Sequence, residues 1–317
     1  MVGGKAVISG GAGFIGSHLA DSLLNKGWEV LAIDRIPYDR ASNIMHLSGN
    51  ERFSYAVSGM KDKASLEALT DGSDMIFHLA ANSDIQKGGK DPGIDLNDTL
   101  MTTVSMLDAA RANGIKRFFF SSTSAVYGDI RGTKLREDTG GLEPISYYGA
   151  SKLASEAMIS SYTYMNEMDS LVFRFPNVVG PRLTHGVIFD FIKKLKADPK
   201  RLEILGDGKQ SKQYVYVKDL AEGIVDFSLR MEKGYSLYNV STESFTTVNE
   251  IADMVCERMG LSDVKYEYTG GNCGWKGDVP TFDYDIGKAK KKGWKYSYDS
   301  SGSVRKTLEH TDVNTGH

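Results

Sequence analysis

Cysteine is nearly absent from the 317-residue sequence, which contains only Cys256 and Cys273. Two cysteines are too few for a disulfide framework or a zinc cluster, so neither is expected to stabilise the fold. This low content is typical of a protein from a reducing compartment. Proline is also scarce, with 7 residues, and 41% of the residues are hydrophobic. The composition therefore predicts an ordinary globular protein rather than a disordered one.

The sequence also lacks long apolar runs and a strong charge of either sign. No run reaches the roughly 18 residues that a membrane-spanning helix needs. The first residues show neither a signal peptide nor a lipidation motif. The formal net charge is −3, which favours neither nucleic acid nor an anionic membrane as a partner. We therefore expect a cytoplasmic protein that binds neither.

Short apolar runs alternate with helical patterns through the first half of the chain, which predicts a parallel sheet. One helical pattern begins near Phe14 and ends at Gly27, a residue suited to a helix C-terminus. Repeated units of this kind give a doubly wound α/β fold, whose ligands bind beyond the carboxyl ends of the strands. The predicted strands are Ala6–Ser9, Glu29–Ile33, Met75–Leu79, Arg117–Ser121 and Leu171–Phe175.

Beyond about residue 180 the pattern is looser and predicts a smaller lobe. It includes a helix near Val187–Lys196 and a strand near Gln213–Val217. We expect a nucleotide-binding domain over 1–176, interleaved with later elements, and a second lobe over 177–308. Residues 309–317 are polar and are expected to form a frayed tail.

A glycine-rich turn follows the first predicted strand and leads into a helix, with glycines at 10, 13 and 16. Such a turn lets backbone N–H groups and a helix N-terminus approach a pyrophosphate. Asp34 ends the second strand, where a carboxylate can accept hydrogen bonds from a ribose diol. It would repel a 2′-phosphate, so the pattern favours NAD over NADP, although Arg35 next to it could hold a phosphate.

The spacing Tyr-x-x-x-Lys places a phenol and an ammonium on one face of a helix. Only Tyr148 and Lys152 follow a hydroxyl cluster, Ser121–Ser124, at the end of a predicted strand. A neighbouring cation favours phenolate, so we expect Tyr148 to act as a base near neutral pH. Three pairs have this spacing: Tyr148 with Lys152, Tyr214 with Lys218, and Tyr284 with Lys288.

With these motifs the chain resembles the extended short-chain dehydrogenases/reductases, in the NAD-dependent sugar epimerase/dehydratase family. Within that family the resemblance is greatest to the 4-epimerases of UDP-glucose. The matching segments span almost the whole chain: Gly10–Gly16, His78–Ala81, Ser121–Gly128, Tyr148–Lys152, Arg174–Pro181, Gly206–Gln210 and Gly277–Pro280.

The resemblance implies a role for each matching residue. The catalytic residues are expected to be Thr123, Tyr148 and Lys152. The residues expected to bind NAD are Gly10, Gly13, Phe14, Ile15, Gly16, Asp34, Met60, Leu79, Ala80, Ala81, Ser121, Tyr148, Lys152 and Pro176. Those expected to bind the nucleotide sugar are Thr123, Asn177, Glu203, Leu205 and Lys212. No metal site is expected, and homodimerisation is implied by the family alone. His78 is interpreted as a structural residue at a strand end.

The residues that follow Thr123 bear on the type of reaction. Family members that dehydrate sugars have an Asp-Glu pair there, whereas this chain has Ser124 and Ala125. Without a carboxylate, elimination lacks its general acid. The Glu of the decarboxylases is also missing. The expected reaction is therefore 4-epimerisation of a nucleotide sugar through a 4-keto intermediate, with UDP-galactose and UDP-glucose as the expected pair.

Three departures from the family pattern leave the nucleotide open. Lys212 stands where many relatives have an arginine on the diphosphate, and a lysine is a point charge without the planar fork of arginine. Trp275-Lys276 replaces a second expected arginine, and Gly59 replaces an Asp that touches the adenine. The alternatives are an epimerase of UDP-glucuronate or a UDP-N-acetylhexosamine, a reductase of a 4-keto nucleotide sugar, and an NAD sensor without turnover.

Overall fold

The structure is a computed structural model that describes residues 3–130, 132–271, 279 and 281–313. The chain divides into two units. Unit 1 consists of Met1–Gly128, Glu137–Arg174 and Ala221–Asn239. Unit 2 consists of Asp129–Arg136, Phe175–Leu220 and Val240–His317.

A seven-stranded sheet forms the centre of unit 1. The strands of the protein are β1 Lys5–Ser9, β2 Glu29–Asp34, β3 Phe53–Val57, β4 Met75–His78, β5 Arg117–Thr123, β6 Asp169–Phe175, β7 Asn177–Val179, β8 Arg201–Ile204, β9 Ser211–Lys212, β10 Tyr214–Tyr216, β11 Tyr235–Asn239, β12 Thr246–Thr247 and β13 Lys265–Tyr268. The sheet has the order β3-β2-β1-β4-β5-β6-β11, and β1 pairs in parallel with both β2 and β4. The order reverses at β1, which confirms the predicted doubly wound α/β fold.

Some of the helices connect the strands of this sheet, and others belong to unit 2. The helices are α1 Phe14–Asn25, α2 Lys63–Thr70, α3 Ile85–Lys90, α4 Pro92–Asp95, α5 Met101–Ala112, α6 Tyr147–Met165, α7 Val187–Ala197, α8 Val217–Leu229, α9 Val248–Met259, α10 Gly287–Lys292 and α11 Ser300–Glu309. A π-helical turn, Leu96–Leu100, connects α4 to α5. Gly27 has a φ of +85° just beyond α1, as its predicted place at the helix end requires. No helix in the described ranges is long and apolar enough to cross a membrane.

All five predicted strands are present, and their bounds differ from the prediction by two residues at most. The inner strands are almost completely buried; β4, for example, has no exposed residue. A strand covered on both faces has a continuous apolar run, which is the pattern that predicted these strands. The hydroxyl cluster that ends β5 and the Asp34 carboxylate that ends β2 therefore lie at the carboxyl edge of the sheet.

Unit 2 has a core of its own, formed largely by α7, α9 and α11. Its short strands pair as β7 with β10, β8 with β13 and β9 with β12. The predicted helix is α7, and the predicted strand is β10. The tail expected to begin at Glu309 is packed as far as Val313, which is 5% exposed and belongs to this core. Residues 314–317 lie outside the described part of the chain.

Candidate active site

The glycine-rich turn lies between β1 and α1. Gly10 has a φ of +74°, a conformation that disfavours other residues, and its N–H donates to the Ile33 carbonyl at 2.9 Å. A Cβ on Gly16 would lie 2.3 Å from the Gly10 carbonyl oxygen, so only glycine allows α1 to approach the turn this closely. Gly13 is the N-cap of α1 and provides no side-chain cap. Backbone N–H groups of the first helical turn, at Phe14 and Ile15, can therefore face an anion.

Asp34 lies directly beside this turn. Its Oδ2 accepts a hydrogen bond from the Ala12 N–H at 3.2 Å, and its Oδ1 accepts one from the Ile36 N–H at 3.3 Å. Burial raises the pKa of the Asp34 carboxyl, and these hydrogen bonds oppose the rise. Arg35 is directed elsewhere, because its guanidinium forms an ion pair with Asp98 at 3.1 Å. A buried carboxylate whose basic neighbour is paired with another acid suits a ribose diol better than a 2′-phosphate.

The end of β4 is held by a network centred on His78, which is completely buried. Its Nδ1 lies 2.6 Å from the Ser9 hydroxyl, and its Nε2 lies 3.1 Å from the Thr103 hydroxyl. Burial lowers the pKa of His78 to about 3, so the ring is neutral. The Ser9 hydroxyl also contacts the Ala80 N–H at 3.5 Å. His78 thus has a structural role next to the predicted NAD-binding segment Leu79–Ala81.

The three predicted catalytic residues are brought together where β5 meets α6. A hydrogen bond joins the side chains of Thr123 and Tyr148. Lys152 is 2% exposed, and its Nζ donates to the Ser121 carbonyl oxygen at 2.6 Å. The same Nζ lies 4.5 Å from the centre of the Phe120 ring and 5.9 Å from that of Tyr148. Phenol, ammonium and hydroxyl therefore form one cluster at the end of a strand.

Burial has the largest effect on the ionisation of this cluster. Burial raises the pKa of Tyr148 to about 12, and the hydrogen bond with Thr123 only partly opposes this rise. Burial also lowers the pKa of Lys152 to about 7, and the negative charge of Glu156 opposes that change. Burial disfavours both charged forms and so opposes the effect of the neighbouring ammonium; the role of Tyr148 as a base near neutral pH stays a prediction.

Two buried carboxyl groups near the cluster were missed from the sequence. Glu156 accepts hydrogen bonds from Ser122 and from Arg174. It lies four residues after Lys152, so the helical spacing that selected the Tyr148 pair could also have identified it. Asp95 is completely buried, and its Oδ1 accepts from the Asn82 side chain at 2.9 Å. Asp95 raises the pKa of Tyr148 through its charge.

Asp95 has no comparable sequence signal. It immediately precedes the π-helical turn, and its Oδ2 has no hydrogen-bond partner among the described residues. Burial raises the pKa of this carboxyl, and the charge of Asp98 adds to the rise. Asp95 ends α4, which has only four residues and is therefore too short for a helical spacing to show which of them face inward.

Four of the predicted nucleotide-sugar residues lie in unit 2, as does Pro176 of the predicted NAD set, whereas the fifth, Thr123, lies in unit 1. Asn177 is exposed and begins β7, and Lys212 ends β9. Glu203 and Leu205 are both exposed, whereas Ile204 between them is completely buried. The alternation places Glu203 and Leu205 on the solvent-exposed face of this segment. Met60, from the NAD set, lies in unit 1 and packs against the sheet core.

Some predicted features fall outside the described residues. They are Cys273, the Trp275-Lys276 departure and most of the Gly277–Pro280 motif. Within the described ranges, no group of three or more His, Cys, Asp or Glu side chains could hold a metal ion.

Most of the motifs described above lie within a region that matches a known protein family. The NAD dependent epimerase/dehydratase family matches residues 6–241, which include the glycine turn and the Tyr148 cluster. The chain belongs to this family. It is accordingly an NAD-dependent enzyme of the extended short-chain dehydrogenase/reductase type, with the Rossmann-type sheet described above.

Individual relatives match over nearly their whole length. The putative UDP-glucose 4-epimerase of Methanocaldococcus jannaschii is 27% identical, over 95% of this chain and 96% of the relative. A crystal structure of a UDP-galactose 4-epimerase has a TM-score of 0.83 and 34% identity, and covers 96% of this chain and 98% of its own. The UDP-N-acetylglucosamine 4-epimerase of Methanobrevibacter ruminantium, in complex with UDP-N-acetylmuramic acid, has a TM-score of 0.86 and 28% identity, and covers 98% of each chain.

Proposed function

We propose that this protein catalyses 4-epimerisation of a nucleotide sugar, with UDP-galactose and UDP-glucose as the interconverted pair. The observation that carries the proposal is the cluster of Thr123, Tyr148 and Lys152. These groups can move one proton at a sugar hydroxyl. Ser124 and Ala125 follow Thr123 and provide no acid to expel a second hydroxyl. This favours epimerisation over dehydration.

The residues of unit 1 fit the NAD that the family requires. The Gly16 position has no room for a Cβ, so α1 packs closely against the turn. The backbone N–H groups at its N-terminus can then bind the pyrophosphate of NAD. Asp34 can accept hydrogen bonds from the adenosine ribose. Lys152 can donate to the second ribose. When bound, NAD supplies a hydride acceptor that is regenerated in each cycle.

The protein's own side chains handle the proton. In this proposal Thr123 hydrogen-bonds the 4-hydroxyl of the sugar, and Tyr148 takes its proton as the 4-keto sugar forms. The buried Lys152 ammonium stabilises the phenolate that must exist before that transfer. After the 4-keto sugar has turned its opposite face to the cofactor, the same phenol returns the proton to the sugar oxygen. Because the pKa of Tyr148 is raised to about 12, the phenolate is a minor form at neutral pH.

For the substrate, we propose that Asn177 and Lys212 contact the diphosphate and that Glu203 and Leu205 line the base. Three of these residues, Asn177, Glu203 and Leu205, are exposed in unit 2. Lys212 can offer one charged group to a diphosphate, whereas an arginine offers two parallel N–H groups. A relative named for UDP-N-acetylglucosamine makes N-acetylated sugars the second substrate class to test.

The test is incubation of the protein with NAD and UDP-galactose, followed by chromatographic separation of UDP-glucose from UDP-galactose. We expect an equilibrium mixture without net NADH. Tyr148→Phe should reduce turnover by about 100-fold or more, because it removes the general base. Tyr147→Phe is the matched control, since Tyr147 is the exposed neighbour on α6. Full activity of Tyr148→Phe would refute the catalytic assignment.

We also propose that the protein is a cytoplasmic homodimer that serves galactose metabolism. Support for the dimer comes from α5 and α6, which pack together and still expose large apolar side chains. Tyr164 and Met165 of α6 are 86% and 76% exposed, and Met101 of α5 is 41% exposed. Apolar surface on adjacent helices is typical of a protein–protein interface.

A further inference from the structure

Three consecutive residues at the end of β5 each contact α6. The Ser121 carbonyl oxygen accepts from Lys152, the Ser122 hydroxyl donates to Glu156, and the Thr123 side chain bonds Tyr148. Tyr148, Lys152 and Glu156 are four residues apart, so they lie along one stripe of α6. The stripe therefore continues for one helical turn beyond the predicted catalytic residues.

Glu156 is the most strongly bonded member of this stripe. It is 4% exposed, and its Oε1 accepts from Arg174 Nε at 3.0 Å while its Oε2 accepts from Arg174 Nη2 at 2.6 Å. The Arg174 guanidinium also stacks 4.7 Å from the Tyr127 ring centre. Because Arg174 belongs to β6 and Ser122 to β5, one carboxylate connects α6 to two adjacent strands.

We propose that Glu156 is a positioning residue of the active site: with Arg174 and Ser122 it fixes the end of β5, and with it the Ser121 carbonyl that accepts from Lys152, against α6. The proposal rests on the catalytic assignment of Tyr148 and Lys152 made above. Glu156 contacts neither substrate nor cofactor in this scheme. It acts through the position and charge of Lys152.

The charges around Lys152 support this role. Glu156 is the negative group that opposes the effect of burial on the Lys152 pKa. On β4, His78 is neutral because its pKa is lowered to about 3. On α6 itself, Tyr148 is neutral because its pKa is raised to about 12. The phenols of Tyr127 and Tyr235 also have raised pKa values, and Asp95 and Asp98 lie on the segment before α5.

The kinetic consequence can be worked out from the two ionisations. The active form contains a Tyr148 phenolate and a Lys152 ammonium. Below about pH 7 Lys152 is protonated and phenolate increases with pH, so kcat/KM rises. Between about pH 7 and 12 the gain in phenolate is cancelled by loss of ammonium, so kcat/KM levels off. Removal of the Glu156 charge should move this levelling-off to lower pH.

The test compares wild type with Glu156→Gln, which retains the size of the side chain and removes its charge. The Lys152 ionisation is followed directly by NMR of 13C-lysine-labelled protein, with Lys152→Met to assign the signal. We expect the Lys152 midpoint to fall by about one pH unit and the levelling-off of kcat/KM to fall with it. A purely structural role would reduce kcat without moving either midpoint.

Two further variants complete the design. Glu156→Gln with Arg174→Gln removes both charges together and leaves no unpaired buried ion, so it should fold. Because loss of the Arg174 charge partly offsets loss of the Glu156 charge, the Lys152 midpoint should fall by less than in Glu156→Gln. Asp108→Asn is the matched control, because Asp108 also bonds α6, through Tyr162 at 2.7 Å, and an ammonium, through Lys63 at 2.7 Å. It should leave the Lys152 midpoint unchanged.

The outcomes separate the two proposals. An unchanged Lys152 midpoint in both charge-removing variants would overturn the role of Glu156, whatever the activity of Tyr148→Phe. A shifted midpoint together with full activity of Lys152→Met would retain the charge coupling, but it would overturn both the catalytic assignment and the positioning role that depends on it.

Discussion

A single buried imidazole connects the two strands that precede the predicted NAD-binding segments. His78 ends β4, and its Nδ1 lies within hydrogen-bond distance of the Ser9 hydroxyl of β1. The Thr103 hydroxyl donates to the Thr99 carbonyl at 2.8 Å, which leaves its oxygen to accept from the His78 Nε2–H. The ring also stacks on Phe120, with 5.9 Å between ring centres. A neutral ring suits this arrangement, because its Nδ1 can then accept from the Ser9 hydroxyl while Nε2 donates to Thr103.

The neutral His78 should make the protein sensitive to acid. Its pKa is about 3 in the folded protein and near 6.5 when unfolded, so the unfolded state binds more protons as the pH falls between these values. Acid therefore stabilises the unfolded state, by at most about 1.4 kcal/mol per pH unit for this one group. We expect the free energy of unfolding, measured with urea from about pH 6.5 to 4, to decrease less steeply in His78→Asn than in wild type.

His46→Asn is the control for this measurement. His46 is partly exposed and contacts Asp21 at 2.7 Å, so its ring, unlike that of His78, is not buried in the core. Its variant should retain the wild-type pH dependence. Equal slopes in wild type, His78→Asn and His46→Asn would contradict the assignment of acid sensitivity to His78.

At the scale of elements, the contact between the glycine turn and α1 determines how closely the helix end can approach a phosphate. A Cβ on Gly16 would lie 2.3 Å from the Gly10 carbonyl oxygen and 2.9 Å from the Gly11 Cα, both of which are backbone atoms. Backbone cannot move aside as a flexible side chain can. The N-terminus of α1 would have to withdraw from the turn.

We therefore expect Gly16→Ala to weaken NAD binding at least 10-fold and to reduce the free energy of unfolding by about 1–3 kcal/mol, the usual cost of overpacking. Titration calorimetry with NAD and urea unfolding measure the two effects. Gly140→Ala is the control, because a Cβ there would meet nothing within 4 Å. Wild-type NAD affinity in Gly16→Ala would show that the close approach does not matter for the cofactor.

The elements that the sequence did not predict share one physical feature. The two missed strands of the central sheet are β3 and β11, and they are its two edges. An edge strand pairs on one side only, and β3 is only half covered, so the exposed Ser54 interrupts its apolar run. In β11 the apolar run is interrupted by Ser236, which is buried. The five inner strands were predictable because burial on both faces imposes a continuous apolar pattern.

The candidate site also contains features that have a local sequence pattern and features that have none. The turn glycines, Asp34 and the Tyr148 pair follow local spacing, so the sequence alone could suggest them. The raised pKa of Tyr148 depends on burial and on Asp95, and neither has a local signature. The Glu156 carboxylate was within reach of helical spacing, but its Arg174 partner comes from a different strand.

At the scale of the whole molecule, the chain leaves and re-enters each unit, and the reason is long-range pairing. Asp129–Arg136 belongs to unit 2 although its neighbours in sequence belong to unit 1. Within that segment, the Leu135 N–H donates to the Asp283 carbonyl at 2.7 Å and the Leu135 carbonyl accepts from the Asp285 N–H at 2.9 Å. Pairing between residues so distant in sequence leaves no local pattern, so the sequence suggested interleaving without locating it.

The proposed homodimer gives a prediction for the complete protein. Tyr164 and Met165 project from α6 and are 86% and 76% exposed, so charges placed there should not disturb the core. If these side chains lie in the interface, Tyr164→Glu combined with Met165→Glu buries two charges of the same sign, and dissociation should follow. Light scattering after size exclusion should then give the 34.8 kDa of one chain, and twice that mass for wild type.

Met45→Glu is the control, because Met45 is an exposed apolar residue of unit 1 that lies outside α5 and α6. It should leave the mass of the wild-type dimer unchanged. A wild-type mass of one chain would refute the dimer. A dimer that persists in the double variant would place the interface elsewhere, because two charges buried without partners would cost several kcal/mol.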